Sequence, residues 1–167
     1  MAVITMEKIT SLARQLKNNA SGIPHLANLT LQPGEIFEWN HTACVITYNP
    51  SVKHADAYLL HEYGHALLDH HGYKHDIDLV KLERAAWGKA FAIASSYDVT
   101  IEDTLIEDAL DTYRDWLHNR SLCPHCESTG IQQGRHAYRC LACSATWTVN
   151  EARTCALRRY SIKKRPA

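Results

Sequence analysis

Four of the six cysteines stand as two pairs, Cys123-Pro124-His125-Cys126 and Cys140-Leu141-Ala142-Cys143, with 13 residues between the pairs. Each pair can present two thiolates from one turn of backbone. Two such turns can surround a single ion tetrahedrally, the usual arrangement of a structural zinc closed to water. One C-x-x-C alone can serve redox chemistry, but two at this separation point to a metal. A segment of about thirty residues has too little core to fold by itself, so the ion would supply its stability. The pattern therefore demands a small module stapled by Cys123, Cys126, Cys140 and Cys143. Cys44 and Cys155 fall in no ligand spacing.

A second pattern lies upstream. His61-Glu62-Tyr63-Gly64-His65 reads H-E-x-x-H, inside an apolar run that begins at Ala55 and continues through Ala66-Leu67-Leu68. On a helix, residues four apart share a face, so His61 and His65 can bind one Zn²⁺. Glu62 sits one step round, in reach of a water on that ion. Buried ionisable groups cost free energy unless paired or metal-bound, so a purely structural helix has no use for this stripe.

The chain of 167 residues is long enough for one well-buried domain and a small appendage, and its 46% hydrophobic and 22% charged composition is that of a globular protein. No stretch approaches the ~18 apolar residues of a membrane span, and Met1 to Lys8 lack the basic and then apolar pattern of a secretory signal. A cytoplasmic location is the expectation, without a membrane partner. Cysteines in that setting favour metal ligation over disulfides. The formal net charge of zero hides a division. Residues 1–119 hold 9 Lys and Arg against 16 Asp and Glu, whereas residues 120–167 hold 9 against 2. Such asymmetry suggests units with different partners.

Periodicity predicts helices over about 5–19, 52–70 (stopped by Gly72), 77–95 and 101–118. Glu35–Trp39 and Ala43–Tyr48 read as a strand pair around Asn40-His41-Thr42, with Ala43–Tyr48 the edge available to an extended substrate. The expected fold class is α+β. A small antiparallel sheet packs on a zincin-type helical core over residues 1–119, followed by the cysteine module at 120–150 and a basic tail at 151–167, loose from Ser161 onward.

A catalytic zinc usually takes three protein ligands. Downstream of His65 the candidates are Asp69, His70, His71, His75, Asp76, Asp78 and Glu83. His71 sits where a metzincin places its third histidine, but Leu68 replaces the helix-breaking glycine of that pattern, and Met1 and Met6 are the only methionines. Asp69, one turn beyond His65, fits better as a support that orients an imidazole. Glu83 opens a second helix and can reach the ion from another direction, and Ala86 and Ala90 would let that helix come close.

The block Leu59-Leu60-His61-Glu62-Tyr63-Gly64-His65-Ala66-Leu67-Leu68, followed by the E-x-x-A-x-x-x-A of Glu83, Ala86 and Ala90, resembles the ImmA/IrrE family of zinc metallopeptidases. The likeness covers about residues 35–95. It implies that His61, His65 and Glu83 hold zinc, that Glu62 is the general base, and that the substrate is an intracellular protein such as a DNA-binding regulator. The chain departs from that family in Ile93-Ala94-Ser95-Ser96-Tyr97, where a proline often follows, and in the added cysteine module. That module, with strands expected at Tyr138-Arg139 and Thr146–Val149, resembles a zinc ribbon. Two zinc ions per chain are thus expected, one catalytic and one structural.

Arg120, Arg135, Arg139, Arg153, Arg158, Arg159, Lys163, Lys164 and Arg165 could contact nucleic acid phosphates, with Tyr138 or Trp147 for stacking; the alternative is that the ribbon only braces the fold. Two other functional readings compete. A SprT-like protease also joins H-E-x-x-H to a zinc ribbon and acts on DNA-bound proteins, but would draw on His71 or His75 instead of Glu83. A non-catalytic nucleic-acid-binding regulator would keep the fold without the chemistry. Tyr48, Tyr63, Tyr73 and His75 are the candidates for stabilising an oxyanion.

Overall fold

In the computed structural model, which describes residues 6–162, the elements in chain order are α1 (Met6–Ala20), β1 (Thr30–Pro33), β2 (Glu38–Asn40), β3 (Val45–Tyr48), α2 (Ala55–Leu67), α3 (Asp76–Ala94), α4 (Asp103–Ser121), β4 (Gly130–Gly134), β5 (Ala137–Cys140), β6 (Thr146–Val149) and β7 (Arg159–Ser161). The class is α+β, with one small mixed sheet and one antiparallel sheet. Among the described residues, no helix is long and apolar enough to cross a membrane.

The chain forms two compact units: residues 6–71 with 82–106, and residues 72–81 with 107–162. This division differs from the expected segments 1–119, 120–150 and 151–167. The second unit gathers residues from both sides of position 119, because buried Asp76 and Arg120 pair within it. The expected tail also supplies β7, which pairs with β6. Lys163, Lys164 and Arg165 lie outside the described residues.

In the first unit, α1 buries Ile9, Leu12, Ala13, Leu16 and Ala20, a stripe at helical spacing. The sheet runs β1-β3-β2, with β3 parallel to β1 and antiparallel to β2. Ala43–Tyr48 is therefore not an edge; β3 is the central strand, and β1 and β2 are the edges. The sequence hid β1 because only Leu31 of its four residues is even half-buried. The antiparallel pair is shorter than expected, since Asn40 Oδ1 accepts the Ala43 N–H at 2.9 Å and turns the chain early.

Helix α2 is packed against α1, β2 and β3, and Ala55, Ala57, Leu59, Leu60, Tyr63 and Ala66 are all buried. It begins three residues later than periodicity suggests. Asn49 Oδ1 accepts the Ser51 N–H at 3.0 Å, and His54 takes a left-handed φ of 59°, so the preceding turn cannot be helical. Its end is a Schellman closure: His70 N–H reaches His65 O at 3.0 Å and Asp69 N–H reaches Ala66 O at 3.1 Å. The left-handed residue this requires is Asp69, at φ 54°, and not Gly72.

In the second unit the sheet order is β4-β5-β6-β7, all antiparallel. Its small core holds Cys123, Tyr138, Cys140, Trp147 and Val149, with the Tyr138 and Trp147 rings stacked at 5.6 Å. Gly130 lies beneath Trp147, where a Cβ would come within 2.3 Å of the indole. Neither aromatic ring is free for stacking on a base. Arg120, also read from sequence as a surface cation, is 1% exposed. Its Nε and Nη2 donate to Asp76 at 2.5 and 3.2 Å, and Nη1 and Nη2 reach the carbonyls of Asn150, Glu151 and Arg135. The guanidinium lies 4.7 Å over the Trp116 ring. Asp76 is completed by the Tyr138 hydroxyl and by Gln132 Nε2, while its own N–H donates to Gln132 Oε1.

A buried pair of this kind punishes the loss of one partner, because the remaining charge has no water to turn to. Arg120→Met should destabilise the second unit by about 3–5 kcal/mol. Urea unfolding followed by tryptophan fluorescence measures it; a loss below about 1 kcal/mol would show that the network is dispensable.

Candidate metal centre

The approach of α3 to α2 begins with one missing side chain. A Cβ at Gly64 would sit 2.5 Å from the Ala86 carbonyl oxygen, so only glycine lets the two backbones come this close. Ala86 and Ala90 are buried on the facing helix. Glu83, one turn before Ala86, is thereby carried to the histidine face of α2.

The three side chains converge. His61 Nε2 and Glu83 Oε2 are 3.1 Å apart, His65 Nε2 and Glu83 Oε2 3.5 Å, and the two Nε2 atoms 3.2 Å. A tetrahedral zinc with bonds of 2.0–2.1 Å holds its ligand atoms about 3.3 Å apart. The triangle fits that ion without rearrangement. All three residues are buried, and the His61 ring stacks on buried Trp87 at 4.3 Å. Burial works against the Glu83 charge, but hydrogen bonds from His61 and His65 outweigh it and hold the carboxyl well below its ordinary range. Glu83 can thus offer a charged oxygen to a metal.

Glu62, the next residue on α2, is half-buried. Desolvation pushes its pKa up, against the lowering fields of His61 and His65; Glu83 raises it further, and the Trp39 N–H lowers it. Such a carboxylate is more basic than one in water, which suits proton transfer.

The Schellman closure sorts the histidine-rich segment. His70 Nδ1 meets His65 Nδ1 at 2.9 Å, and its carbonyl accepts the Trp39 indole N–H at 3.0 Å. Asp69, expected to orient an imidazole of the metal site, instead meets His41 at 3.0 Å; its left-handed backbone turns the carboxylate outward. Support for His65 comes from His70. His71 pairs with the backbone of Asp69 through Nδ1 at 2.9 Å, His75 faces Asp78 at 3.4 Å, and Asp76 is held by Arg120. Of the downstream candidates, Glu83 alone joins both His61 and His65. Among the oxyanion candidates, Tyr48 and Tyr63 are buried, and Tyr73 donates to Glu151.

The four cysteines of the second unit also converge. Sγ separations are 3.5 Å for Cys126–Cys140 and Cys126–Cys143, and 3.7 Å for Cys123–Cys143. Those values are far from a disulfide of about 2.05 Å and near the about 3.8 Å of a tetrahedral ZnS₄ site. Backbone N–H groups of His125 and Cys143 point at Cys123 and Cys140 sulfurs, each at 3.4 Å. The residues after each pair, Glu127 and Ser144, are both left-handed, at φ 60° and 62°. Hydrogen bonds from Ser128 bring the Cys126 thiol down to about 6. At Cys143 the Ala145 N–H favours the thiolate, yet the neighbouring sulfurs oppose a second charge and push it up to about 12. A bound cation would remove that opposition. The structure thus brings together a Cys₄ cluster and a His₂Glu group, each able to bind a metal.

Gly64, Trp39 and Trp87 shape the first site yet were not singled out from sequence, and His70, a candidate ligand there, serves instead beside His65. Gly64 had a signal, since an isolated glycine inside a helical pattern marks close packing. The two tryptophans depend on how a strand and a neighbouring helix pack onto α2, and the place of His70 on how that helix ends. No family model matches this chain, and neither a curated protein nor a solved structure does.

Two outcomes follow for the His₂Glu site. Gly64→Ala should separate α2 from α3, cost about 1–3 kcal/mol as overpacking does, and release the ion of this site while the Cys₄ ion stays; unchanged metal content would refute the close-approach argument. His70→Ala should weaken metal binding about 10–100-fold, as loss of an orienting partner does. A competition titration with a chromophoric chelator reads it, and an unaltered affinity would show that His65 needs no support.

Proposed function

We propose that this chain is a zinc-dependent endopeptidase of ImmA/IrrE type with a C-terminal zinc ribbon, acting on an intracellular protein such as a DNA-binding regulator. The observation that carries the reading is the His61–His65–Glu83 triangle with 3.1–3.5 Å sides beside a basic carboxylate. Zinc held there supplies a Lewis acid that polarises a peptide carbonyl and acidifies water. Glu62 accepts the proton of the attacking water and later delivers it to the leaving amine. His70, 2.9 Å from His65 Nδ1, would keep that ring turned so that Nε2 stays with His61 and Glu83, the residues that would hold the zinc. Trp39 of edge strand β2 lies close enough for its backbone N–H to favour the Glu62 charge, so an extended peptide laid along this edge would pass close to the base.

The SprT-like alternative needs His71 or His75 as third ligand, but His71 groups with His41 and Asp69, His75 faces Asp78, and the residue that meets His61 and His65 is Glu83. Among the described residues, nucleic-acid contact by the ribbon would fall to the exposed Arg135, Arg139 and Arg158 before Arg153 and Arg159, which are exposed but engaged. Arg120 is buried, Arg153 lies over the Tyr113 ring at 4.2 Å, and Arg159 donates to the Asn119 carbonyl.

Dialysed protein should retain two zinc ions by elemental analysis. Glu83→Ala should retain one, and Glu62→Gln should retain both while losing cleavage of a cognate protein by at least about 10²-fold. Cleavage that survives Glu62→Gln would remove the base from the mechanism, and two ions in Glu83→Ala would remove the third ligand.

A further inference from the structure

We infer that the first unit carries another metal site, formed by His41, Asp69 and His71, for a borderline divalent cation of the zinc, nickel and copper class. The inference goes beyond the peptidase reading and does not depend on it. His41 lies in the turn between β2 and β3, and Asp69 and His71 lie just past the end of α2. His41 Nε2 and Asp69 Oδ1 are 3.0 Å apart, the His41 and His71 ring centroids are 4.7 Å apart, and one ligand atom from each residue lies within 4.8 Å of the others.

Two features make this more than a chance cluster. His71 Nδ1 donates to the Asp69 carbonyl at 2.9 Å, which in the neutral imidazole makes Nε2 the nitrogen that carries the lone pair. Metal-binding imidazoles are oriented in this way, one nitrogen fixed by a carbonyl and the other on the ion. Asp69 occupies the left-handed position of the Schellman turn, and that conformation presents its carboxylate to His41. The pair His41–Asp69 already spans a distance natural to cis ligands. The third atom, within 4.8 Å of the others, needs to close by at most about 1.5 Å to reach the about 3.3 Å ligand spacing of a tetrahedral zinc. All three residues are exposed, the His41 and Asp69 side chains by 42% and 52%, so their rotamers can adjust and an ion can enter from solvent.

On binding, the cation takes the His41 Nε2 lone pair; in the neutral imidazole the single ring proton that faced Asp69 passes through solvent to Nδ1, so the ring stays neutral and the Asp69 carboxylate turns to the ion. Two imidazoles and one carboxylate suit zinc, nickel or copper and give magnesium too few oxygens. Water completes the shell. Occupancy would clamp the β2–β3 turn to residues 69–71, the segment whose middle residue backs His65. This site is separate from the His₂Glu triangle, with which it shares no ligand.

Protein dialysed to its tightly held zinc is titrated with ZnCl₂ in a calorimeter, in parallel with His41→Ala, Asp69→Asn and His71→Ala. Wild type should take up one further ion, unaffected by millimolar Mg²⁺. Each variant should lose that uptake by at least the about 10–100-fold that a lost supporting partner costs a metal site, with wild-type circular dichroism and its dialysed zinc intact. Absence of a further ion in wild type, or wild-type titration in His41→Ala and His71→Ala, would overturn the site. Failure of the peptidase reading would appear elsewhere, in the dialysed zinc content of Glu83→Ala, and leaves this titration unchanged.

Discussion

The absence of a side chain at Gly64 lets two helix backbones meet, and the His₂Glu centre rests on that contact. Any larger residue would collide with the Ala86 carbonyl at 2.5 Å. Ala86 and Ala90 extend the same close seam along α3. A shift of an ångström between the helices would move Glu83 from its 3.1 and 3.5 Å separations to distances that cannot share one ion. The chemistry of the site thus depends on packing that makes no polar contact at all.

A second constraint acts at the end of α2. One left-handed residue, Asp69, ends the helix and sends three consecutive side chains in three directions. Asp69 goes out to His41, His70 folds back onto His65, and His71 returns to the Asp69 carbonyl. A non-glycine residue at such a φ costs about 1–2 kcal/mol. Aspartate tolerates it better than most, and the two backbone bonds of the Schellman closure offset it.

The second unit is held by different physics. Its apolar core is small, and two polar centres compensate: four sulfurs spaced for one ion, and a buried Arg120–Asp76 pair with its donors and acceptors met. A buried pair is weak evidence for stability, because desolvation offsets most of its attraction. What the pair does join is sequence-distant segments of one unit, Asp76 from 72–81 and Arg120 from 107–162.

Local pattern by itself determined a good deal. The four helices, the pairing of β2 with β3, the strands at Tyr138-Arg139 and Thr146–Val149, both cysteine turns and the H-E-x-x-H face are short-range matters of spacing and period, readable without coordinates. Helix ends were misread where the signal was not glycine: Asp69 and His54 take left-handed conformations that composition does not advertise. Strand β1 stayed hidden because a parallel edge with one half-buried residue has no alternation to see. Tertiary structure decided the rest. It turned Arg120, Tyr138 and Trp147 from surface candidates into core, made β3 central, gave His65 the support of His70 and withheld that of Asp69, and joined Glu83 to the two histidines. Those outcomes rest on contacts between residues distant in sequence, and periodicity along one chain carries no information about which distant partner a side chain will meet.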